Sequence, residues 1–186
     1  MMRTMIAFLF LMTATAQAAD FEITPAIQAE LEKGKAILAA IAAEPAILAA
    51  VQEQNKKGPL PGMDNAKWKL TLRTDPIVEG FRSNPAGQFL RTQISKNRGT
   101  FNEIFLSAAN GEKVAFAEKT TRYIHKGNPK FDVPFNTGKP WQGGPEFDES
   151  SQTYAIQIAV PVMDQGKTIG VLVAGMNLSH LSRSDR

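Results

Sequence analysis

Near Thr100 the hydrophobic period of this chain changes, and that change narrows the folds open to it. Before it, apolar residues recur at helical spacing; after it, they alternate in the manner of strands. Between residues 24 and 55, Ile27, Leu31, Leu38, Ile41, Leu48 and Val51 fall on one helical face. Thr24 stands where a capping hydroxyl belongs, and Pro25 occupies the first helical position, where a missing N–H costs nothing. Pro45 removes the bond to the Ile41 carbonyl, so a kink or restart is expected at Glu44-Pro45. The apolar spacing is close to a coiled-coil seam, so this long helix packs on its own sheet or joins two copies in a homodimer.

The glycines and prolines of residues 58–62 break the pattern, and Asp75-Pro76 and Asn84-Pro85 each open a further short helix. From Phe101 the chain alternates, with Phe101, Glu103, Phe105 and Ser107 opposed to Asn102, Ile104 and Leu106. Asn110-Gly111 predicts a two-residue type I′ hairpin turn, which needs φ > 0 at both positions. Residues 113–117 form the return strand, 153–162 and 168–176 the closing strands around Gln165-Gly166, and 177–181 a short last helix. Helices first and antiparallel strands afterwards is the α+β pattern. The expected architecture is an antiparallel sheet of about five strands with the long N-terminal helix along one side.

The first residues have the form of an export signal. Arg3 supplies the positive end, residues 5–12 the apolar core, and Ala16-Gln17-Ala18 a small-x-small cleavage site. The apolar core is shorter than the ~20 residues that span a bilayer. The expected division is a signal peptide over 1–18 and one domain over 19–186, periplasmic and soluble. With no cysteine in the chain, disulfides and thiolate metal sites are excluded. A net charge of +3 is too small for a nucleic-acid partner, which requires a strongly basic face. His125 and His180 are the two histidines, and neither has a second at metal-binding spacing. Nucleophile-elbow, phosphate-loop and dinucleotide motifs are missing. The chain is read as a non-enzyme without cofactor or metal.

Several segments in order resemble one family. They are the acidic-Pro helix of residues 43–55, the Phe101-Asn-Glu-Ile-Phe-Leu hairpin with its Asn-Gly turn and Lys113-Val-Ala, the stretch 146–154, and Ile169-Gly-Val-Leu-Val-Ala-Gly175. Their order resembles the Cache domain, or PDC sensor, a PAS-like extracytoplasmic module that binds small molecules in bacterial signalling. The form is a free-standing single module.

The resemblance implies a pocket between the sheet and the connector that follows the hairpin. Arg122 and Tyr123 adjoin the family's pocket strand, although relatives often carry an acidic residue where Arg122 stands. His125 lies in the same connector, Trp141 and Phe147 would wall the pocket, and Asp148, with Glu146 and Glu149, would accept an amine. Each has a plainer reading too: Trp141 and Phe147 as packing aromatics, Asp148 as a strand cap, His125 as a surface residue. Lys119, Arg122, Lys126, Lys130 and Lys139 face one acid, Asp132, in the connector. Such a basic lid suits an anionic, carboxylate-type ligand, which arginine grips through two parallel hydrogen bonds.

Two functions are therefore expected from the sequence. One is a periplasmic ligand-binding module that signals through a separate membrane-bound partner. The other is a non-catalytic structural or interaction protein of the envelope whose pocket is filled by its own side chains.

Overall fold

Proline opens five of the helices, and the residue before it often supplies the cap. The structure, a computed structural model, describes residues 22–97, 99–148 and 152–181. The signal segment read at residues 1–18 lies outside them. Helices α1 (Pro25–Ala42) and α2 (Pro45–Lys57) are followed by α3 (Asn65–Leu70), α4 (Pro76–Ser83) and α5 (Pro85–Lys96). The Thr24 hydroxyl accepts from the Ile27 N–H, Asp75 from Ile77, and Asn84 from Gly87. Each satisfies an N–H that the first helical turn leaves free. Pro45 ends one helix and starts another, with a 67° bend between α1 and α2. None of the described helices is by itself long and apolar enough to cross a membrane.

The strands are β1 (Phe101–Ala108), β2 (Lys113–Phe116), β3 (Trp141–Asp148), β4 (Thr153–Asp164) and β5 (Lys167–Asn177), in the order β2-β1-β5-β4-β3. Every neighbouring pair is antiparallel, so the expected five-stranded α+β architecture is met. Two elements were not legible in the sequence. Helix α6 (Pro129–Thr137) lies in the stretch read as a connector, its apolar pattern interrupted by Pro134. Strand β3 contains Gly143-Gly144-Pro145, turn residues that the sheet accommodates as an irregularity on an edge strand. A four-residue helix, α7 (Leu178–Leu181), closes the described chain.

The two-residue turn expected at the first hairpin occurs at the second. At the first, only Gly111 has positive φ, at 83°, and the Gly111 N–H donates to the Ala108 carbonyl. The Ala108 N–H in turn donates to the Glu112 carbonyl, making a longer turn with a glycine bulge instead of the type I′ pair. At the second, Gln165 and Gly166 both have positive φ, 47° and 80°, and Asp164 pairs directly with Lys167. That is the two-residue I′ arrangement.

Alternation along the strands gives the sheet two buried faces. One carries Ile104, Leu106, Ile156, Ile158, Val160, Val162, Leu172, Ala174 and Met176, which pack with Ile27, Leu31, Leu38, Ile41, Ile47 and Val51. The apolar stripe of α1 is thus covered by the chain's own sheet. The other face carries Phe105, Phe116, Ala159, Val171 and Val173, covered by Trp68, Val78, Tyr123 and Phe131. This second face holds the candidate site.

Candidate functional site

The cover of the second face is hung from two points. At the first, a Cβ on Gly111 would fall 2.3 Å from the Lys126 nitrogen, so glycine is what lets the connector approach the hairpin turn. The His125 N–H then donates to the Gly111 carbonyl at 2.8 Å, and Glu112 pairs with Ile124 as an isolated bridge. At the second, Asn65 on α3 acts as a clamp. Its Oδ1 accepts from the Tyr123 and Ile124 N–H groups at 2.9 and 2.8 Å, and its Nδ2 donates to the Ile124 carbonyl at 3.0 Å. The Trp68 indole N–H reaches the Thr120 carbonyl at 2.8 Å.

Held this way, the connector lowers His125 onto the sheet, where its ring lies 4.6 Å from that of Phe105. Lys113, the first residue of β2, places its amine 3.1 Å from the centroid of the same ring. Both side chains are buried, and neither His125 Nδ1 nor Lys113 Nζ has a hydrogen-bond partner. Ser107, paired in register with Lys113, has a buried hydroxyl that is also unpartnered. Glu103 and Gln157 flank Gly175 in one cross-strand row, and Gln157 accepts from the Lys130 amine of α6. A row of buried polar groups therefore lies beside the aromatic ones on this face.

The electrostatics of this group set the Lys113 and Lys130 amines against the buried carboxylates of Glu103 and Glu112. Burial pushes the Lys113 amine well below its ordinary value of 10.5, the Glu103 carboxylate pulling it back up and Lys130 adding to the depression. Burial likewise holds the His125 imidazole well below 6.5, and the charges of Lys113, Lys130 and Arg122 act in the same direction. A group surrounded by cations and removed from water gives up its own proton most easily. A negative charge beside them would oppose both shifts.

The residues singled out in the sequence do not all meet. His125 is inside the cluster. Arg122, its near neighbour, is exposed on the outer side of the connector and lines a shallow cleft with Asn65, Ala66 and Lys69. Tyr123 is fully buried among Trp68 and Phe81, at 5.6 and 6.0 Å between ring centroids, and its oxygen accepts from the Leu60 N–H at 2.8 Å. Burial raises its phenol above the usual value. Trp141 is half-buried against the same face, in the cross-strand row of Phe105, Val173 and Ala159. Phe147 is 48% exposed and meets Tyr154 edge-on near the far end of the hairpin. The side chain of Asp148 lies outside the described residues; its backbone pairs with Thr153.

The basic lid also divides. Lys130 turns inward to Gln157, Lys119 donates to the Trp68 carbonyl, and Lys126 and Lys139 are exposed. Glu103, Ser107, Lys113 and Gln157 were not singled out from the sequence. Their signal was present: Glu103 and Ser107 fall on the same side of the alternation as Phe105, a charge and a hydroxyl on a face that must be buried. Among the described residues no cluster of His, Asp and Glu side chains could hold a metal ion.

This arrangement, a five-stranded antiparallel sheet with one face under N-terminal helices and the other under a connector, is the Cache, or PDC-like, sensor-domain fold. No family model and no curated protein matches the sequence. Among solved structures, the chain is similar to the sensor domain of E. coli DcuS, with a TM-score of 0.54 at 15% identity, over 87% of this chain and 98% of that one. It is also similar to the sensory domain of the Campylobacter jejuni chemoreceptor Tlp3, with a TM-score of 0.50 at 15% identity. That match covers 85% of this chain and 59% of the Tlp3 domain, so the chain spans little more than half of that relative. At such identity the likeness establishes the fold.

Proposed function

We propose that this chain is an extracytoplasmic sensor module that binds a small carboxylate-type anion between the sheet and its connector–α6 cover. Its occupancy would be reported to a separate membrane-bound partner. The observation that carries the reading is the pair of buried, unpartnered groups on one aromatic ring, Lys113 Nζ and His125 Nδ1 around Phe105. Native interiors leave few such groups unsatisfied, and each costs about 1–3 kcal/mol. A carboxylate supplies acceptors for both. Extracytoplasmic placement rests on Arg3, the apolar run after it and Ala16-Gln17-Ala18.

The proposed mechanism is a population shift. Ligand between Lys113, His125 and Lys130 favours the connector seated on Gly111 and Asn65, and the partner recognises that seated form. Arg122, exposed on the connector, attracts the anion electrostatically without being the group that grips it.

One observation favours the filled-pocket alternative. Trp68, Phe81, Phe116 and Tyr123 pack ring against ring, at 5.6 to 6.0 Å, and occupy the space under the first part of the connector. That packing does not extend to Lys113 and His125, and a purely structural domain gains nothing from burying Lys113 Nζ and His125 Nδ1 without hydrogen bonds. A thermal-shift screen of mono- and dicarboxylates on wild type and Lys113→Met decides. The proposal expects stabilisation of about 2.7 kcal/mol at a hundredfold excess over Kd, absent in the variant. If no carboxylate stabilises the protein, the structural reading stands; if the variant responds like wild type, the anion binds away from Lys113 and this site is wrong.

A further inference from the structure

At the corner where α3 gives way to α4, Leu70 is 83% and Leu72 71% exposed, more than any other large apolar side chain among the described residues. Isolated surface leucines are ordinary, but two neighbours left almost wholly in water beside a ring of cations are not. Lys69, Leu72, Arg73 and Lys119 line one shallow cleft of about 300 Å³, and Lys69 and Arg122 line a second of about 430 Å³. Lys69 belongs to both, so the basic surface is continuous.

The nearby acids are engaged, two as helix caps and one with a cation of the surround itself. Asp64 caps α3 through the Lys67 N–H, and Asp75 caps α4 through that of Ile77. Glu118 is shared between Arg73 at 3.8 Å and Arg82 at 3.4 Å. The corner therefore presents two apolar points and a positive surround.

We propose that this corner seats the domain on an anionic lipid membrane, with Leu70 and Leu72 entering the boundary between headgroups and acyl chains. Lys69, Arg73 and Arg122 would lie at the level of the lipid phosphates. Lipid fits better than protein for a geometric reason. A stable protein interface covers ~800 Å² per partner around a broad, closely packed apolar centre. Here the apolar part is two protruding side chains among charges, the pattern of an interfacial anchor. Each lysine or arginine near an anionic leaflet strengthens the attachment, and salt weakens it. The seating would also turn the Arg122 side of the connector toward the membrane.

The absence of cysteine allows a direct test on the full chain. Leu72→Cys carries an environment-sensitive fluorophore, and Lys56→Cys, exposed on α2 over the opposite face, carries the same dye as control. Each is titrated with phosphatidylglycerol–phosphatidylcholine vesicles and with pure phosphatidylcholine. The expected result is a blue-shifted, several-fold brighter emission at position 72 on anionic vesicles alone, reversed by salt and unchanged at position 56. Adding Leu70→Glu should cut partitioning roughly tenfold or more, since it removes an anchor and adds a repelled charge. Three results overturn the proposal: no change at position 72, an equal change at position 56 through binding by the apolar N-terminal segment, or photocrosslinking from position 72 to an acidic protein without any lipid response.

Discussion

The amine of Lys113 sits 3.1 Å from the centroid of the Phe105 ring, on the sheet face that the connector covers. The ring offers its negative face to a cation, an attraction of about 2 kcal/mol when desolvated, yet burial works against keeping the charge at all. Two effects thus oppose each other at Lys113: the ring face favours its charge and burial disfavours it.

Replacing Lys113 by Met together with Glu103 by Gln should separate binding from folding. Exchanging both members of a buried ionic pair for uncharged side chains is often neutral or stabilising by about 1–4 kcal/mol, whereas removing one alone costs about 3–5 kcal/mol, and the buried Glu103 carboxylate acts on the Lys113 amine. The unliganded double variant is therefore expected to unfold near the wild-type urea midpoint, while losing carboxylate-induced stabilisation, and Lys113→Met alone to unfold at a lower one. A destabilised double variant would show that the pair supports the fold.

The pH dependence of stability follows from His125. Its folded imidazole titrates well below 6.5, so the unfolded chain takes up a proton first as pH falls. The contribution is complete above about pH 6.5 and is lost progressively below it. Urea midpoints of wild type and His125→Gln should run parallel above pH 7 and separate below about 6.5, with wild type falling faster. Parallel behaviour down to about pH 5 would show that His125 titrates normally.

Binding should take up protons. An anion beside Lys113 and His125 raises both depressed values, so affinity increases as pH falls through the interval between the free and bound values. Calorimetric titration in buffers of different ionisation enthalpy reads this uptake as a change in apparent enthalpy. Buffer-independent heats would place the ligand elsewhere.

Two glycines on the opposite face should respond differently to alanine. A Cβ at Gly170 would lie 2.5 Å from the Ser107 carbonyl oxygen, which is backbone and cannot yield, so Gly170→Ala should cost about 1–3 kcal/mol. At Gly34 the clash is with the Met176 thioether, a flexible end, and the helix gains about 1 kcal/mol from alanine. Gly34→Ala should leave the thermal midpoint nearly unchanged.

Asn65→Ala should release the connector, since it deletes the three hydrogen bonds that clamp Tyr123 and Ile124. A loss of about 1–3 kcal/mol is expected, with faster amide exchange at residues 123–126 than elsewhere in the sheet. Unchanged exchange there would mean that Gly111 and Trp68 suffice to hold it.

The sequence by itself determined the order and type of most elements. Local rules govern them: Pro after a capping side chain opens α1, α4 and α5, alternation marks β1 and β4, and glycine marks the hairpins. It also placed the restart at Pro45, because a missing N–H acts within one turn. Only the tertiary structure decided that Gln165-Gly166, and not Asn110-Gly111, takes the two-residue turn. The first turn must lengthen so that Gly111 can receive the connector backbone. The site was half legible for the same reason. His125 could be named from its place in the connector, whereas Lys113 and Glu103 come within electrostatic reach only when β2 pairs with β1 and the cover closes over them. Which side of the connector Arg122 and Tyr123 face is likewise set by Asn65, 57 and 58 residues away, a contact no local pattern encodes.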